Sequence, residues 1–170
     1  VIDEAYIEFA AQHSSVSLIQ EFDNLIVLRS FSKAYGLAAL RIGYAMSGAS
    51  IAKVLNHTRQ SFNTNTLAHA AAAAAIQDQR FITDYLDFNQ EQKQTLYDGL
   101  DSLGVGYVKS HTNFVMVNVD NGMEIYQALV AQGVVIRPMA SYGLPQWIRV
   151  SVGLPEENHR FLDTLAQVLA

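Results

Sequence analysis

The stretch RSFSKAYGLAALRIGY, residues 29–44, decides the fold because it connects two predicted strands. The run LIVL at 25–28 is continuously apolar, which is typical of a strand covered on both faces. RIGYAM at 41–46 is a second candidate strand, and residues 50–59 have helical character. Strands that alternate with helices in this way predict an α/β fold whose first part is built on a mostly parallel sheet.

Side chains that can hold a phosphate and an aldehyde follow the first of these strands. Ser30 and Ser32 alternate just after it, and Lys33 is next to them. Ligands of open α/β sheets gather outside the carboxyl ends of the strands. There, the two hydroxyl groups can donate hydrogen bonds to a phosphate, and the lysine amine can condense with an aldehyde cofactor. Arg41, eight residues after Lys33, can add a planar fork of donors for the same phosphate.

A carboxylate and a phenol follow the end of another predicted strand, in VIDEAY at residues 1–6. We expect Asp3 and Tyr6 to lie near the same sheet edge as the lysine. An aldehyde cofactor built on a pyridine ring needs a carboxylate against its ring nitrogen, because the protonated nitrogen makes the ring an electron sink. A phenol can donate a hydrogen bond to the oxygen on carbon 3 of such a ring.

The rest of the chain predicts a long helix followed by a small α+β unit. Residues 68–76 are rich in alanine, the best helix former, and helical spacing of apolar residues continues beyond them, so one long or kinked linking helix is expected over about 64–103. Further strands are expected at 105–108, 113–119, 134–136 and 147–152, and further helices at 122–132 and 155–170. The expected domains are 1–80, part of a larger cofactor-binding domain, and 81–170, a small C-terminal domain.

Composition argues against several classes of function. The net charge of -5 and the pI near 5.4 disfavour a nucleic acid or an anionic membrane as partner. No segment has the ~18 apolar residues of a transmembrane helix and no signal peptide is seen, so a cytoplasmic location is expected. There is no cysteine and no close pair of histidines, so no metal site is expected. Val1 begins inside an apolar run, which predicts that the chain is a piece of a longer polypeptide.

Together these motifs resemble the histidinol-phosphate aminotransferase family of fold-type-I pyridoxal-phosphate (PLP) enzymes. The resemblance extends over essentially the whole chain. Its landmarks are VIDEAY at 1–6, SFSKAYGLAALRIGY at 30–44, TNFVMV at 112–117, GVVIRP at 133–138 and WIRVSVGLPEEN at 147–158. It implies that the chain is the C-terminal portion of such an enzyme, without the half that would complete the cofactor site and the dimer.

The resemblance also implies roles for individual residues at the cofactor. Lys33 would bind PLP covalently, Asp3 would pair with the pyridine nitrogen, and Tyr6 would bond the 3-oxygen. The implied phosphate ligands are Ser30, Ser32 and Arg41.

On the substrate side, the resemblance implies that Arg149 grips the carboxylate. Arg137 would lie near a distal phosphate or second carboxylate. The implied reaction moves an amino group between histidinol phosphate and 2-oxoglutarate in a homodimeric parent enzyme of histidine biosynthesis, with the freed Lys33 as the base. The chain by itself is expected to be inactive.

Other interpretations remain open at this level. Lys33 alone would be a surface lysine, Ser30 and Ser32 can bond local backbone, and Arg149 also fits an exposed strand face. Rival functions of the same fold are an aromatic aminotransferase, a phosphothreonine decarboxylase and a carbon–sulfur lyase. A further rival is a non-enzymatic, ligand-sensing domain of a transcription regulator.

Overall fold

A computed structural model describes all residues of the chain, Val1–Ala170. They form two compact units, Val1–Leu86 and Asp87–Ala170. None of the helices combines the length and the apolar character that crossing a membrane requires.

The first unit contains a three-stranded sheet and helices that follow it in the chain. Its strands are β1 (Ile2–Asp3), β2 (Ile26–Ser30) and β3 (Gly43–Ser47), and its helices are α1 (Ala49–Thr58), α2 (Thr66–Ala75) and the beginning of α3 (Gln79–Ser102). Between β1 and β2 the chain forms two 3-10 helices, Ile7–His13 and Val16–Gln20. A small core of Phe31, Ile42, Ala68 and Ala72 lies beside the sheet.

The sheet of the first unit is mixed, whereas the sequence predicted a mostly parallel one. The strand order is β1-β2-β3; β1 pairs with β2 in parallel, and β2 pairs with β3 antiparallel. A parallel return needs a crossover, usually a helix, that carries the chain back along the sheet. Residues 31–42 instead form a compact loop with one 3-10 turn, Ala38–Leu40, so the chain re-enters beside the strand it has just left.

The expected single helix over 64–103 is two helices, α2 and α3. Asn65 caps α2 by accepting a hydrogen bond from the backbone of Ala68 at 2.8 Å. Asp78 starts α3 by accepting one from the backbone of Phe81 at 3.1 Å. An aspartate that caps a new helix favours non-helical backbone at its own position, which separates the two helices at 76–78.

The second unit is an antiparallel sheet covered by helices. Its strands are β4 (Tyr107–Val108), β5 (Phe114–Asn118), β6 (Arg137–Pro138) and β7 (Trp147–Ser151), in the order β4-β5-β7-β6, and its further helices are α4 (Gly122–Ala131) and α5 (Pro155–Leu169). The side chains of Val115, Val117, Ile148 and Val150 alternate along β5 and β7 into the core of this unit. This alternation is what a half-buried antiparallel sheet requires.

The strand expected at 134–136 is wrong, because pairing with β7 begins only at Arg137. Gly133 has φ +77° after α4, and the backbone N–H of Val134 still donates to the carbonyl of Leu129 at 2.9 Å. The chain is therefore completing a helix end at 133–134. Val135 is 77% exposed, so an apolar run here does not mark a buried strand.

Buried polar side chains hold the loop before β5 to helix α3. Lys93, only 5% exposed, donates to the carbonyl of Ser110 at 2.9 Å, and the Asn89 amide donates to that of Thr112 at 3.2 Å. Residues four apart lie on one face of a helix, so both bonds reach the same loop. Burial lowers the pKa of Lys93.

Candidate active site

The loop that carries Lys33 is held in place from its apolar side. Phe31 is buried and packs on the rings of Tyr35 and Tyr44, with ring centroids 4.9 and 5.5 Å away. The backbone N–H of Phe31 donates to Ile42 at 3.2 Å, and its carbonyl accepts from Leu37 at 2.9 Å. The alternation of residues after β2 turns Phe31 inward and leaves Ser32 and Lys33 partly exposed.

The structure brings Lys33 and Tyr6 together, although they are 27 residues apart in the chain. The Lys33 ammonium nitrogen lies over the Tyr6 ring, 5.0 Å from its centroid. This is within the ~6 Å over which a cation is attracted by an aromatic face. A primary amine and a phenol thus share one location at the ends of β1 and β2.

Ser30 and Ser32 lie together at the end of β2, but part of their hydrogen-bonding capacity is used locally. The Ser30 hydroxyl oxygen accepts a hydrogen bond from the backbone N–H of Ser32 at 3.0 Å. Ser30 faces Gly43 across the β2–β3 ladder. A side chain at Gly43 would meet the carbonyl oxygen of Arg29 at 2.7 Å, so this close approach requires glycine.

Asp3 shares a face of the sheet with Ser30. Asp3 is the register partner of Leu28 in the parallel pair, and Leu28 and Ser30 point to the same side of β2. This face is open, since Asp3 is exposed and Leu28 is 37% exposed. The Asp3 carboxylate accepts a hydrogen bond from the backbone N–H of Ala5 at 2.9 Å.

Arg41 is not brought onto the serine hydroxyls. Its backbone has φ +56°, in the left-handed region, and its guanidinium donates to the carbonyl of Ala38 at 2.7 Å. The side chain is exposed and folds back over its own 3-10 turn.

Glu4, which is buried, and Arg29, which is half-buried, form an ion pair that sequence reasoning missed. Arg29 Nε donates to the Glu4 Oε2 atom at 3.0 Å, and Arg29 Nη2 lies 3.0 Å from the same oxygen as an ion-pair contact. The Glu4 side chain is only 4% exposed. Burial by itself lowers the pKa of Arg29, but hydrogen bonds with Tyr44 and Glu4 outweigh it and raise the pKa overall. A signal was present in the sequence, since Glu4 directly follows Asp3 and the opposite charge of Arg29 directly precedes Ser30.

In the second unit, Arg137 and Arg149 are direct partners across the β6–β7 ladder. The Arg149 guanidinium lies 5.0 Å from the centroid of the Phe114 ring, and its buried Nε atom has no hydrogen-bond partner. Arg137 is exposed and donates to the Tyr142 hydroxyl at 3.1 Å. Cross-strand partners project from the same face of a sheet, so the two guanidinium groups form one cationic surface.

A wide groove of the first unit lies elsewhere. It has a volume of about 910 Å³ and is lined by Tyr44, Leu55, His69 and Ile76 among others. None of the residues predicted to bind a cofactor lines it. Size alone would have indicated a different site from the one indicated by the motifs.

Comparison with known proteins identifies the family. Residues 1–165 match the family model described as "Aminotransferase class I and II". Histidinol-phosphate aminotransferase 1 of Psychrobacter arcticus is 50% identical over 99% of this chain and 46% of its own length. The resemblance predicted from the motifs is therefore confirmed.

Solved structures of the same class superpose closely. The histidinol-phosphate aminotransferase of Clostridium acetobutylicum has a TM-score of 0.91 and 27% identity, over 98% of this chain and 53% of its own. That of Sinorhizobium meliloti, solved in complex with pyridoxal-5'-phosphate, has a TM-score of 0.90 and 30% identity, over 98% and 47%. The predicted α/β class is confirmed by these matches.

The chain spans about half the length of the relatives it matches. These matches show how much of each relative the chain covers. They do not support the description of the chain as a C-terminal portion. The motifs, the mixed α/β fold and the match along 1–165 nevertheless agree with one another. The chain belongs to the class I and II aminotransferase family.

Proposed function

We propose that the chain is part of a PLP-dependent aminotransferase that uses Lys33 as the cofactor-binding and proton-carrying amine. The single observation that carries this proposal is the placement of the Lys33 amine over the Tyr6 ring, at the ends of β1 and β2. The first unit would then be part of the larger, cofactor-binding domain, and the second unit would be the small domain.

The donor set at these strand ends suits PLP. Two hydroxyls and a nearby guanidinium match a phosphate, a carboxylate matches a protonated ring nitrogen, and a primary amine matches an aldehyde. Lys33, Tyr6, Asp3, Ser30 and Ser32 would hold the cofactor, with Arg41 joining them if its guanidinium leaves the Ala38 carbonyl. When bound, the cofactor supplies a ring that stabilises negative charge on the substrate carbon next to nitrogen.

The residues of this chain would divide the remaining work. The Lys33 amine, once released by the incoming amine of the substrate, would accept and return a proton at that carbon. The phenol of Tyr6 would orient the cofactor and screen the amine from one side. Asp3 lies on the open face that it shares with Ser30, where a ring could lie across both strands.

We further propose that Arg149 and Arg137 bind the two anionic ends of the substrate. The buried, unpartnered Nε of Arg149 supports a carboxylate partner, because a buried donor without an acceptor costs about 1–3 kcal/mol. Histidinol phosphate carries a phosphate that the exposed Arg137 could meet. We propose glutamate and 2-oxoglutarate as the other pair of substrates, beside the histidinol phosphate that the names of the relatives give. A homodimer and a cytoplasmic location stay predictions.

Borohydride reduction followed by peptide mass mapping tests the assignment of the amine. The natural polypeptide that carries this chain is incubated with PLP and reduced, and the label is expected on Lys33. The variant K33R should take up no label and should lose transamination by at least about a hundredfold, since the proton carrier is removed. K53R, the same change at an exposed lysine of α1, is the matched control and should behave as the unmodified protein.

Two outcomes would overturn the proposal. A label on Lys53, Lys93 or Lys109 in place of Lys33 would show that the site is assigned to the wrong lysine. The proposed substrate would be wrong if activity with histidinol phosphate is no greater than with aromatic amino acids. Decarboxylation in place of transamination would also contradict it. Either result would favour a rival function of the same fold.

A further inference from the structure

We propose that Glu4 and Arg29 are positioning residues, whose partly buried ion pair helps to set the place of Tyr6 relative to Lys33. This inference rests on the proposed function, because it concerns the residues that would hold the cofactor. Neither Glu4 nor Arg29 faces the open side of the sheet. Asp3 and Ser30 lie on that side, and alternation puts Glu4 and Arg29 on the opposite side.

The pair ties the end of β1 to β2 at two levels. The backbone N–H of Glu4 donates to the carbonyl of Leu28 at 2.8 Å, which extends the parallel pairing by one residue. The side chain of Glu4 then accepts a hydrogen bond from Nε of Arg29 at 3.0 Å, and Nη2 lies 3.0 Å from the same oxygen. Arg29 directly precedes Ser30, so the anchor lies next to the predicted phosphate ligands.

The same pair also holds the far end of the segment that contains Tyr6. The other carboxylate oxygen of Glu4 accepts the backbone N–H of Ser15. Arg29 Nη2 donates to the hydroxyl of Ser14 at 2.8 Å. Residues 5–13 therefore form a loop that is closed at both ends by one ion pair.

The 3-10 helix in this loop does not fix the loop by itself. Residues 5–13 pair with no strand, and their 3-10 helix is interrupted at Ala10, whose φ of −147° and ψ of 43° are not helical. Packing also holds the middle of the loop, because Ile7 is buried and the Phe9 ring lies 6.0 Å from that of Tyr85. Tyr6 is two residues after Glu4, so the end that the pair holds is the one nearest to Tyr6. Since the Lys33 amine lies over the Tyr6 ring at 5.0 Å, the pair acts on the reacting amine through Tyr6.

The chemistry of the pair suits positioning better than stability. Burying two charges costs desolvation that their attraction only partly repays, and apolar replacements are often as stable. A guanidinium group, however, donates its hydrogen bonds in one plane, here from Nε to Glu4 and from Nη2 to Ser14, and an apolar contact imposes no such direction. The Glu4 carboxylate is 4% exposed and the Arg29 side chain 22% exposed, so solvent screens this ion pair less than it would a pair on the surface.

The test compares R29K and E4Q with the unmodified protein at its natural length. R29K keeps the charge and loses the fork, and E4Q keeps the shape and loses the charge. The first measurement is hydrogen–deuterium exchange without cofactor, where exchange of residues 5–13 is expected to rise while that of α4 and α5 is unchanged. The second is PLP binding by fluorescence, where the dissociation constant is expected to rise about tenfold or more.

A third measurement separates positioning from mere support of the fold. The pH midpoint of the absorbance change of bound PLP is expected to move by about 0.5 units or more, because the phenol no longer lies against the amine. The matched control is the exposed pair of Arg80 and Asp84, whose side chains are 89% and 68% exposed. R80K and D84N should leave all three measurements unchanged.

The results of these three measurements distinguish a positioning role from a purely structural one. If R29K and E4Q lower the melting temperature yet leave the dissociation constant and the pH midpoint unchanged, the positioning role is overturned and the pair is structural. If R29K fails to fold, E4Q alone carries the comparison. If the unmodified protein takes up no reducible PLP, the proposed function itself falls, and the positioning role falls with it.

Discussion

At the scale of single residues, the site depends on an amine held against a phenol. The Lys33 nitrogen and the Tyr6 ring are 5.0 Å apart, a contact worth about 0.5–1 kcal/mol at an exposed location. Such a contact is too weak to organise a loop by itself. The stronger fixed points nearby are the buried ring of Phe31 on one side and the Glu4–Arg29 pair on the other.

Glu8, in the same loop, should make stability depend on pH. Its Oε2 atom is buried without a hydrogen-bond partner, and burial raises the pKa of the carboxyl, with the charge of Arg29 acting in the opposite direction. The pKa of Glu8 is higher in the folded state than its unfolded value of 4.5. Protonated Glu8 therefore stabilises the folded state fully below pH 4.5, and this stabilisation is lost as pH rises through the folded-state pKa. E8Q should therefore be more stable than the unmodified protein near pH 7, by less than about 1 kcal/mol because Glu8 is only half-buried and solvent screens its charge.

Urea unfolding at a series of pH values checks this prediction. The advantage of E8Q should shrink toward zero as pH falls to about 4. E91Q, the same change at an exposed position of α3, should alter the free energy of unfolding by less than about 0.5 kcal/mol throughout. An advantage of E8Q that does not vary with pH would contradict the explanation.

At the scale of elements, the ladder between β2 and β3 decides where Ser30 lies. The ladder can close at the pair Ser30–Gly43 only because position 43 lacks a side chain. A Cβ there would lie 2.7 Å from the Arg29 carbonyl oxygen, which backbone on both strands would have to relieve. The glycine of the RIGY motif is thus a packing requirement of the site.

G43A should therefore both destabilise the chain and weaken cofactor binding. We expect a loss of about 1–3 kcal/mol in the free energy of unfolding, the usual cost of overpacking, and weaker binding of PLP because Ser30 is displaced. G106A is the control, since a Cβ at Gly106 would meet its nearest neighbour, the Cβ of Asn118, at an ordinary 3.8 Å. Unfolding by urea and PLP titration measure the two effects, and equal behaviour of both variants would refute the assignment.

At the scale of the whole molecule, the two units differ in the size of their cores. The second unit has a cluster of twelve buried residues, whereas the cluster beside the sheet of the first unit has four, two of which are alanines. Large apolar side chains of the first unit also remain exposed, among them Val54, Phe62 and Leu67. Buried apolar area is the main source of stability, so the first unit is expected to be the weaker one.

The 170-residue chain should accordingly unfold in two steps. Trp147, the only tryptophan, lies in the second unit, so its fluorescence reports that unit alone, while far-ultraviolet circular dichroism reports both. The circular dichroism transition should begin at lower urea than the fluorescence transition, and first-unit amides should exchange faster with solvent. Coincident transitions would show two-state unfolding and contradict this prediction.

Local signals in the sequence determined most elements and the family. The apolar run at 25–28, the alternation at 147–152 and the proline-led last helix correspond to β2, β7 and α5, because hydrophobic period and capping residues act over a few neighbouring positions. The spacing of VIDEAY, Lys33 and Arg41 was enough to identify the resemblance. The sequence also predicted that Tyr6 and Lys33 share a sheet edge. This prediction needed only the observation that each residue follows the end of a predicted strand.

The tertiary structure decided what depends on partners distant in the chain. The Glu4–Arg29 pair joins residues 25 positions apart, and no local pattern shows that two charges will be buried together. Neighbouring strands and helix ends likewise decided three other features. These are the antiparallel return of β3, the break between α2 and α3, and the start of β6 at Arg137. An apolar run such as 134–136 forms a strand only if a neighbouring strand is in position to pair with its backbone N–H and C=O groups. Whether such a neighbour exists is determined by the folded chain.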